Sequence, residues 1–255
     1  MMRLTFLGSG DSQGVPRWWC DCAVCTEART TGRNRRDCPA LLVERAGARR
    51  LVDAPPELRR QLVARDVRLL DAAFLTHHHN DHVGGVVDLY DFVRWTGRPL
   101  PVFVPRRSFA LLLERYPWLP SRLDLRPLDG PLDRDGVRWT PFEVPHGANG
   151  FAHAFRIEAD GRALVYMPDS LDPPEALQDA RLRDLDLLVL GTSFWREEAP
   201  REQRSVLDVE EALRIAARVR PRRTIFTHLG HGVDRDRPLP PGHEFARDGQ
   251  VVDAW

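Results

Sequence analysis

Short apolar runs rich in β-forming residues alternate along the chain with segments whose apolar positions recur at helical spacing. Residues 3–7 read as a strand that runs into the glycine-rich turn GSGDSQG. Residues 40–44 and 49–53 flank RAGA as a hairpin, and a helix over 57–64 follows, with proline near its start where the missing N–H costs little. AAFL is a strand, and residues 83–93 carry helical spacing. LPVFVP and RWTPFEVP are strands separated by the helix RSFALLLERY. Residues 151–159 and 162–167 pair around Asp160-Gly161, a strong hairpin signal. DLDLLVLG is a buried strand, 208–219 a helix, and RTIFTH a last strand. Three longer stretches, 11–39, 117–135 and 192–205, read as loops, and loops of that length in a compact fold are often functional.

The alternation predicts an α/β fold, and 255 residues with 42% apolar content suffice for one sizeable core, so a single domain over 1–255 is expected. The 37 basic and 37 acidic residues cancel, and no block of like charge stands out. A nucleic-acid or anionic-membrane partner is therefore not expected. All the basic residues are arginine, a usage that codon bias explains. The first residues, MMRLTFLGSG, lack the apolar run of a secretory signal, and no stretch reaches the roughly 18 apolar residues of a membrane span. A cytoplasmic protein is expected. Three of its four cysteines, Cys20, Cys22 and Cys25, fall within six positions, and the fourth is Cys38. In a reducing compartment that clustering favours a metal site over disulfides.

FLTHHHNDHVGG crowds four histidines behind a short strand. Its skeleton is His77-x-His79-x-Asp81-His82, a set of imidazole and carboxylate donors suited to borderline divalent ions. Residues so close together cannot all reach one ion from a regular strand, but a turn can divide them between two. Further donors recur in one context: His146 ends FEVPH, Asp169 ends ALVYMPD and His228 ends TIFTH. Each sits at the carboxyl end of an apolar strand, the edge where ligands collect in open α/β sheets.

This pattern resembles the metallo-β-lactamase superfamily. The resemblance implies a four-layer αβ/βα sandwich with the site at one edge of its two sheets. It also implies that His77, His79 and His146 hold one ion, Asp81, His82 and His228 the other, and that Asp169 bridges them. Asp53, in RLVDA, matches the family's first motif and is expected to orient a ligand histidine. His78 should point away from the ions, Asn80 should shape the turn, and Gly84 and Gly85 should allow close backbone approach.

WWCDCAVCTEA supplies three thiolates within one loop, spanning about residues 16–39 with its flanks. Structural zinc needs a fourth ligand, and Cys38, His153, His231 and His243 are available. GSGDSQGVPRWWCDCAVCTEA together with RRDC and THLGH resembles the phosphodiesterases of the carbon–phosphorus lyase pathway, which open phosphoribosyl cyclic phosphate. In that resemblance His231 completes a structural zinc with Cys20, Cys22 and Cys25, and Cys38 is left as a buried thiol. A protein of pyrroloquinoline quinone biosynthesis shares a similar loop but tends to carry a degraded metal turn, whereas this turn is intact.

The implied reaction is hydrolysis of a cyclic phosphodiester with two manganese or zinc ions. Asp81 and Asp169 are its catalytic carboxylates, acting as scaffold, and hydroxide from water of lowered pKa is the nucleophile. The expected partner is a small-molecule phosphodiester, and a homodimer is the candidate assembly. Other superfamily hydrolases acting on lactones, thioesters or RNA, and a non-catalytic metal-binding relative, are the alternatives. The oxygen-reducing relatives usually place glutamate where His79 stands. The family's histidine before the helix that leads to the last metal strand is replaced by Val206, which removes the expected proton donor. Arg17, Arg106 and Arg107 are expected to be solvated surface.

Overall fold

The apolar runs fold into two mixed sheets of seven strands each, in a computed structural model that describes residues Met1–Trp255. The first sheet contains β1 (Arg3–Gly8), β2 (Ala40–Arg45), β3 (Ala48–Val52), β4 (Ala72–Phe74), β5 (Pro101–Pro105), β6 (Asp124–Leu128) and β14 (Val251–Asp253). Its spatial order is β14-β1-β2-β3-β4-β5-β6. The second contains β7 (Leu132–Arg134), β8 (Val137–Pro145), β9 (Phe151–Ala159), β10 (Arg162–Met167), β11 (Leu187–Gly191), β12 (Arg223–Thr227) and β13 (His243–Phe245). Here the order runs in reverse sequence, from β13 to β7.

One face of each sheet is buried against the other. Phe6, Leu41, Val52 and Phe74 of the first sheet meet Trp139, Phe155, Leu164 and Val189 of the second in one core. At its centre the Phe74 and Trp139 rings stack with centroids 3.8 Å apart, and Phe155 meets Phe74 edge-on. The outer faces are covered by helices. Those on the first sheet are α2 (Leu58–Ala64), α3 (Asn80–Val83), α4 (Val86–Thr96) and α5 (Arg106–Arg115). On the second lie α6 (Glu175–Arg181) and α7 (Val209–Val219). The outcome is the αβ/βα sandwich.

Local chemistry sets the boundaries. Asp208 caps α7 through a reciprocal bond pattern with Glu211, whose backbone N–H donates to Asp208 at 2.8 Å. Gly97, at φ 68°, ends α4. The single helix expected over 83–93 is broken: α3 stops at Val83 and α4 starts at Val86. The cause is packing, because a Cβ on Gly85 would lie 2.2 Å from the Pro55 carbonyl oxygen, and the chain bends where backbones touch.

All three expected loops contain regular structure, 192–205 only a 3-10 turn over Arg201–Gln203. The 11–39 stretch includes α1 (Ala23–Thr30), and 117–135 includes β6 and β7. Strands β6, β7, β13 and β14 all lie at or next to a sheet edge, and β7, β13 and β14 have three residues each. Partner strands, not alternation in their own sequence, define them.

His153 on β9 is buried beside Ser108, whose Oγ lies 3.2 Å from Nδ1. Burial pushes its pKa down to about 4. Because an unfolded histidine titrates near 6.5, the native state binds fewer protons, and stability is lost as pH falls from about 6.5 to 4. Replacing His153 with Gln should remove about 3 kcal/mol from that acid-side loss. Urea unfolding of wild type and H153Q at pH 7 and pH 4.5 checks this, and identical pH slopes would refute it.

Candidate metal centre

Four strand ends converge on one spot. His77, His79, Asp81 and His82 follow β4; His146 follows β8; Asp169 follows β10; and His228 follows β12. Two groups of donors result. His77, His79, His146 and Asp169 form the first, and Asp81, His82, Asp169 and His228 the second. Asp169 belongs to both, presenting Oδ2 to His77 and His146 and Oδ1 to His82 and His228.

The residues that orient these rings lie one step further out. The Thr76 backbone N–H donates to Asp53 Oδ1 at 2.7 Å, and its Oγ1 lies within 3.1 Å of both carboxylate oxygens. Thr76 Oγ1 in turn sits 3.0 Å from His77 Nδ1, and His82 Nδ1 lies 2.8 Å from Asp53 Oδ2. His146 Nδ1 donates to the Ser205 carbonyl at 2.7 Å, and His228 Nδ1 lies 3.2 Å from Ser193 Oγ. Each ring nitrogen occupied in this way leaves Nε2 as the donor atom, the arrangement that fixes tautomer and orientation in metal sites.

The donor geometry fits ions. A regular tetrahedron with arms of about 2.0–2.1 Å has edges of about 3.3–3.4 Å. In the second group, His82 Nε2 lies 3.2 Å from Asp81 Oδ2 and 3.3 Å from Asp169 Oδ1. His228 Nε2 is 3.3 Å and 3.2 Å from the same two atoms. In the first group, His79 Nδ1 lies 3.0 Å from His77 Nε2 and 3.3 Å from His146 Nε2. His82 Nε2 and Asp169 Oδ1 are sealed from solvent without a hydrogen-bond partner. Lone pairs so gathered in a buried site call for cations between them.

Charge follows the same logic. Burial pushes His77 well below its ordinary pKa, and burial with His146 nearby takes His79 down to about 4, so both are in the neutral form that binds metal. Burial opposes ionising Asp81 and Asp169, yet His82 and His228 outweigh it and hold both carboxyls below the usual range. Those carboxylates lift His82 and His228 above the imidazole value against burial.

The thiolates form a separate group with His231. Cys20, Cys22 and Cys25 Sγ lie 3.2, 3.6 and 3.6 Å from His231 Nδ1. Zinc with arms of about 2.3 Å to sulfur and 2.0 Å to nitrogen has S···N edges near 3.5 Å. The other candidates for the fourth ligand are elsewhere. Cys38 is a buried thiol whose pKa burial raises, His153 faces Ser108, and the His243 ring stacks on Phe226.

His78 packs against Phe151 and joins neither group, while Asn80 opens α3 and its Oδ1 accepts from Arg115 at 3.1 Å. Arg106 and Arg107 are exposed and paired with Asp129 and Glu143. Arg17 corrects the expectation of a solvated side chain: it is buried against Asp11 and lines the site's cavity. That cavity, about 290 Å³, is also lined by Asn149, Ser205 and Val206. Asn149 and the positioning residues Thr76 and Ser193 carried no sequence signal, since each is an ordinary polar residue made special by its neighbours.

Fold and site together define a sandwich that gathers two sets of ion ligands around one shared carboxylate. The family model of the beta-lactamase superfamily domain matches residues 48–229, and the chain belongs to that superfamily. Among curated relatives, it is 30% identical to the octanoyltransferase of Porphyromonas gingivalis over 97% of this chain and 51% of that protein, so it spans about half the relative's length. It is 29% identical to coenzyme PQQ synthesis protein B of Rhodopseudomonas palustris, over 78% of this chain and 75% of the relative. Among solved structures, a diphosphatase from the PhnP family superposes with a TM-score of 0.88 at 26% identity, covering 99% of this chain and 98% of the other.

Replacing Asp53 with Asn keeps a residue that tolerates the left-handed backbone there (φ 65°) but removes the charge facing His82 and Thr76. Metal affinity at the Asp81/His82/Asp169/His228 group should fall by about 10–100-fold. Competitive chelator titration measures it, and an unchanged affinity would count against the role of Asp53. Cys22→Ser preserves a cap for α1, because serine can accept the Cys25 N–H as the thiol does. It should nonetheless lose one equivalent of zinc, read by elemental analysis beside wild type; full retention would remove Cys22 from the site.

Proposed function

We propose that the protein is a metal-dependent hydrolase that cleaves a small phosphodiester, with a cyclic ribose phosphodiester such as phosphoribosyl 1,2-cyclic phosphate as the preferred substrate. The observation that carries this reading is Asp169, whose two carboxylate oxygens are divided between two donor groups made only of nitrogen and oxygen atoms. Divalent ions bound in these groups supply Lewis acidity toward phosphoryl oxygens and activate water near neutral pH. Zinc and manganese both suit the donors; the thiolate group suits zinc.

The chain's own residues do the rest. His77 and His79 stay neutral, so no proton competes for their donor atoms, and His146 is anchored through the Ser205 carbonyl. Asn149 Nδ2, 3.4 Å from His146 Nε2, brings an amide donor to the cavity edge beside the ligands. Val206 lines the same cavity and has no proton to give. A strained ring whose leaving oxygen remains tethered, or an activated aryl leaving group, suits such a site because little proton donation is needed. The cavity admits a small molecule and carries no basic arm for RNA. No helix is long and apolar enough to cross a membrane, and we place the enzyme in the cytoplasm, in the use of phosphonate-derived sugar phosphates. A second reading, hydrolysis of a diphosphate, is favoured by similarity to the PhnP-family diphosphatase.

A panel of cyclic phosphodiesters, bis(p-nitrophenyl) phosphate, a diphosphate diester, a lactone and a thioester, each with manganese and with zinc, tests the reading. Phosphodiester turnover is expected, and His77→Ala combined with Asp169→Ala should reduce it at least about a thousandfold, the scale of losing electrostatic stabilisation of the transition state. Turnover surviving that double change, or activity confined to lactone or thioester, would overturn it.

A further inference from the structure

Val206 deprives the cavity of a proton donor, and several of the hydrogen-bond donors beside the ion ligands are already engaged. Arg17 binds Asp11 through both terminal nitrogens, Arg204 binds Glu211 and Asp208, and Ser193 Oγ sits against His228 Nδ1. Asn149 is different. Its Nδ2 lies 3.4 Å from His146 Nε2, and that ring nitrogen lies 3.3 Å from both His79 Nδ1 and Asp169 Oδ2. The amide therefore borders the first donor group itself. An ion bound there takes the Nε2 lone pair, so the amide hydrogens are left facing the contents of the cavity.

Its place is fixed by backbone. The turn Gly147–Asn149 needs positive φ at Gly147 (53°) and at the following Gly150 (86°). A Cβ on Gly147 would lie 2.0 Å from the Arg204 carbonyl oxygen, and the same carbonyl accepts the Ala148 N–H at 2.9 Å. The Asn149 N–H closes the turn onto the His146 carbonyl at 3.0 Å. Arg204 is buried and ion-paired, so the turn rests on a rigid support. The next residue, Ser205, holds the His146 ring through its carbonyl, and Val206 follows it on the cavity wall. The segment that lacks the proton donor is thus the one that fixes the amide. A donor set in place before the reaction needs no reorganisation as charge develops.

We propose that Asn149 donates a hydrogen bond to the departing oxygen of the substrate and stabilises the charge which that oxygen gains in the transition state. This rests on the phosphodiesterase reading above. The attacking water loses a proton to solvent, and its oxygen bonds to phosphorus. The bond from phosphorus to the departing oxygen breaks, and that oxygen takes a proton from solvent. Asn149 keeps both of its own. In-line displacement puts the departing oxygen opposite the attacking one. Asp169 is buried and Asn149 exposed, so attack from the Asp169 side sends the departing oxygen outward, to the wall where the amide stands.

Asn149→Ala and Asn149→Leu, the latter keeping bulk without the donor, are compared with wild type on metal-loaded protein. The substrates are aryl methyl phosphates with leaving groups from p-nitrophenol to phenol, and a cyclic ribose phosphodiester. With KM little changed, kcat should fall about 10-fold or less for p-nitrophenol and about 100-fold or more for the sugar oxygen, because the lost bond forms only in the transition state. Equal losses across the series, or none, would overturn the inference. Calorimetry adds a readout apart from turnover. Orthovanadate accepts a fifth oxygen where the departing group sits, and it should bind both variants about 10-fold more weakly while inorganic phosphate binding holds. An unchanged preference for vanadate over phosphate would equally overturn it. Chelator titration should give the wild-type metal affinity; a lower affinity would make Asn149 an ion ligand and refute its role as a donor to substrate. If wild type cleaves no phosphodiester, the proposed function fails, and the vanadate preference alone still decides for or against Asn149.

Discussion

The constraint on which the rest of the structure depends is electrostatic: six imidazole and carboxylate side chains surround Asp169 with donor atoms about a tetrahedral edge apart. In a buried site these lone pairs repel one another unless positive charge lies between them. The chain accepts unfavourable backbone to keep them there. Asp53 and His228 both adopt left-handed conformations, at φ 65° and 57°, a conformation costing about 1–3 kcal/mol for a residue other than glycine. Both are exits from strands at the site.

The ligand sets cross the sandwich. The first sheet delivers His77, His79, Asp81 and His82, and the second delivers His146, Asp169 and His228, so each donor group draws on both sheets. A small slide of one sheet over the other would change every cross-sheet donor distance at once. The stack of Phe74 on Trp139 opposes such a slide three residues before His77. Within the second sheet, close backbone packing fixes the strand end that carries Asp169, where a Cβ on Gly191 would fall 1.5 Å from the Pro168 carbonyl oxygen. The core's rigidity therefore bears directly on ion binding, since interiors packed this tightly shift in steps instead of deforming smoothly.

Much of this was legible in the sequence because metal chemistry restricts residue type. The HxHxDH turn, the strand-end positions of His146, Asp169 and His228, and the CxCxxC loop with His231 all needed specific donors at specific spacings. The central strands were legible because burial on both faces leaves continuous apolar runs. Edge strands were not: β6 carries Asp124, Arg126 and Pro127 among its five residues, a composition that reads as loop until β5 supplies its ladder. Helix α1 was hidden inside the cysteine loop, where the Cys22 thiol, accepting the Cys25 N–H, is at once the helix cap and a member of the thiolate group. Arg17 was misread because arginine in a loop is usually solvated, and its burial depends on Asp11 and on a loop more than 200 residues away.

That long separation gives the thiolate–His231 group a mechanical role beside the other two donor groups. Cys25 and His231 are 206 residues apart in sequence, and a crosslink closing so long a loop removes much of the unfolded chain's freedom. Its neighbourhood adds further ties across the same gap: Gly10 bridges Leu229, and buried Arg36 donates to the Gly230 and Val233 carbonyls. The loop after β1 and the loop after β12 come from different sheets. Joining them fastens the two sheets at the rim where the ion ligands emerge. A site assembled from both halves of a sandwich is most exposed to error at that rim, so a staple placed there serves geometry as well as stability. The thiolate group and the ion ligands are then parts of one mechanical arrangement, with His228 and His231, three residues apart, as the hinge between them.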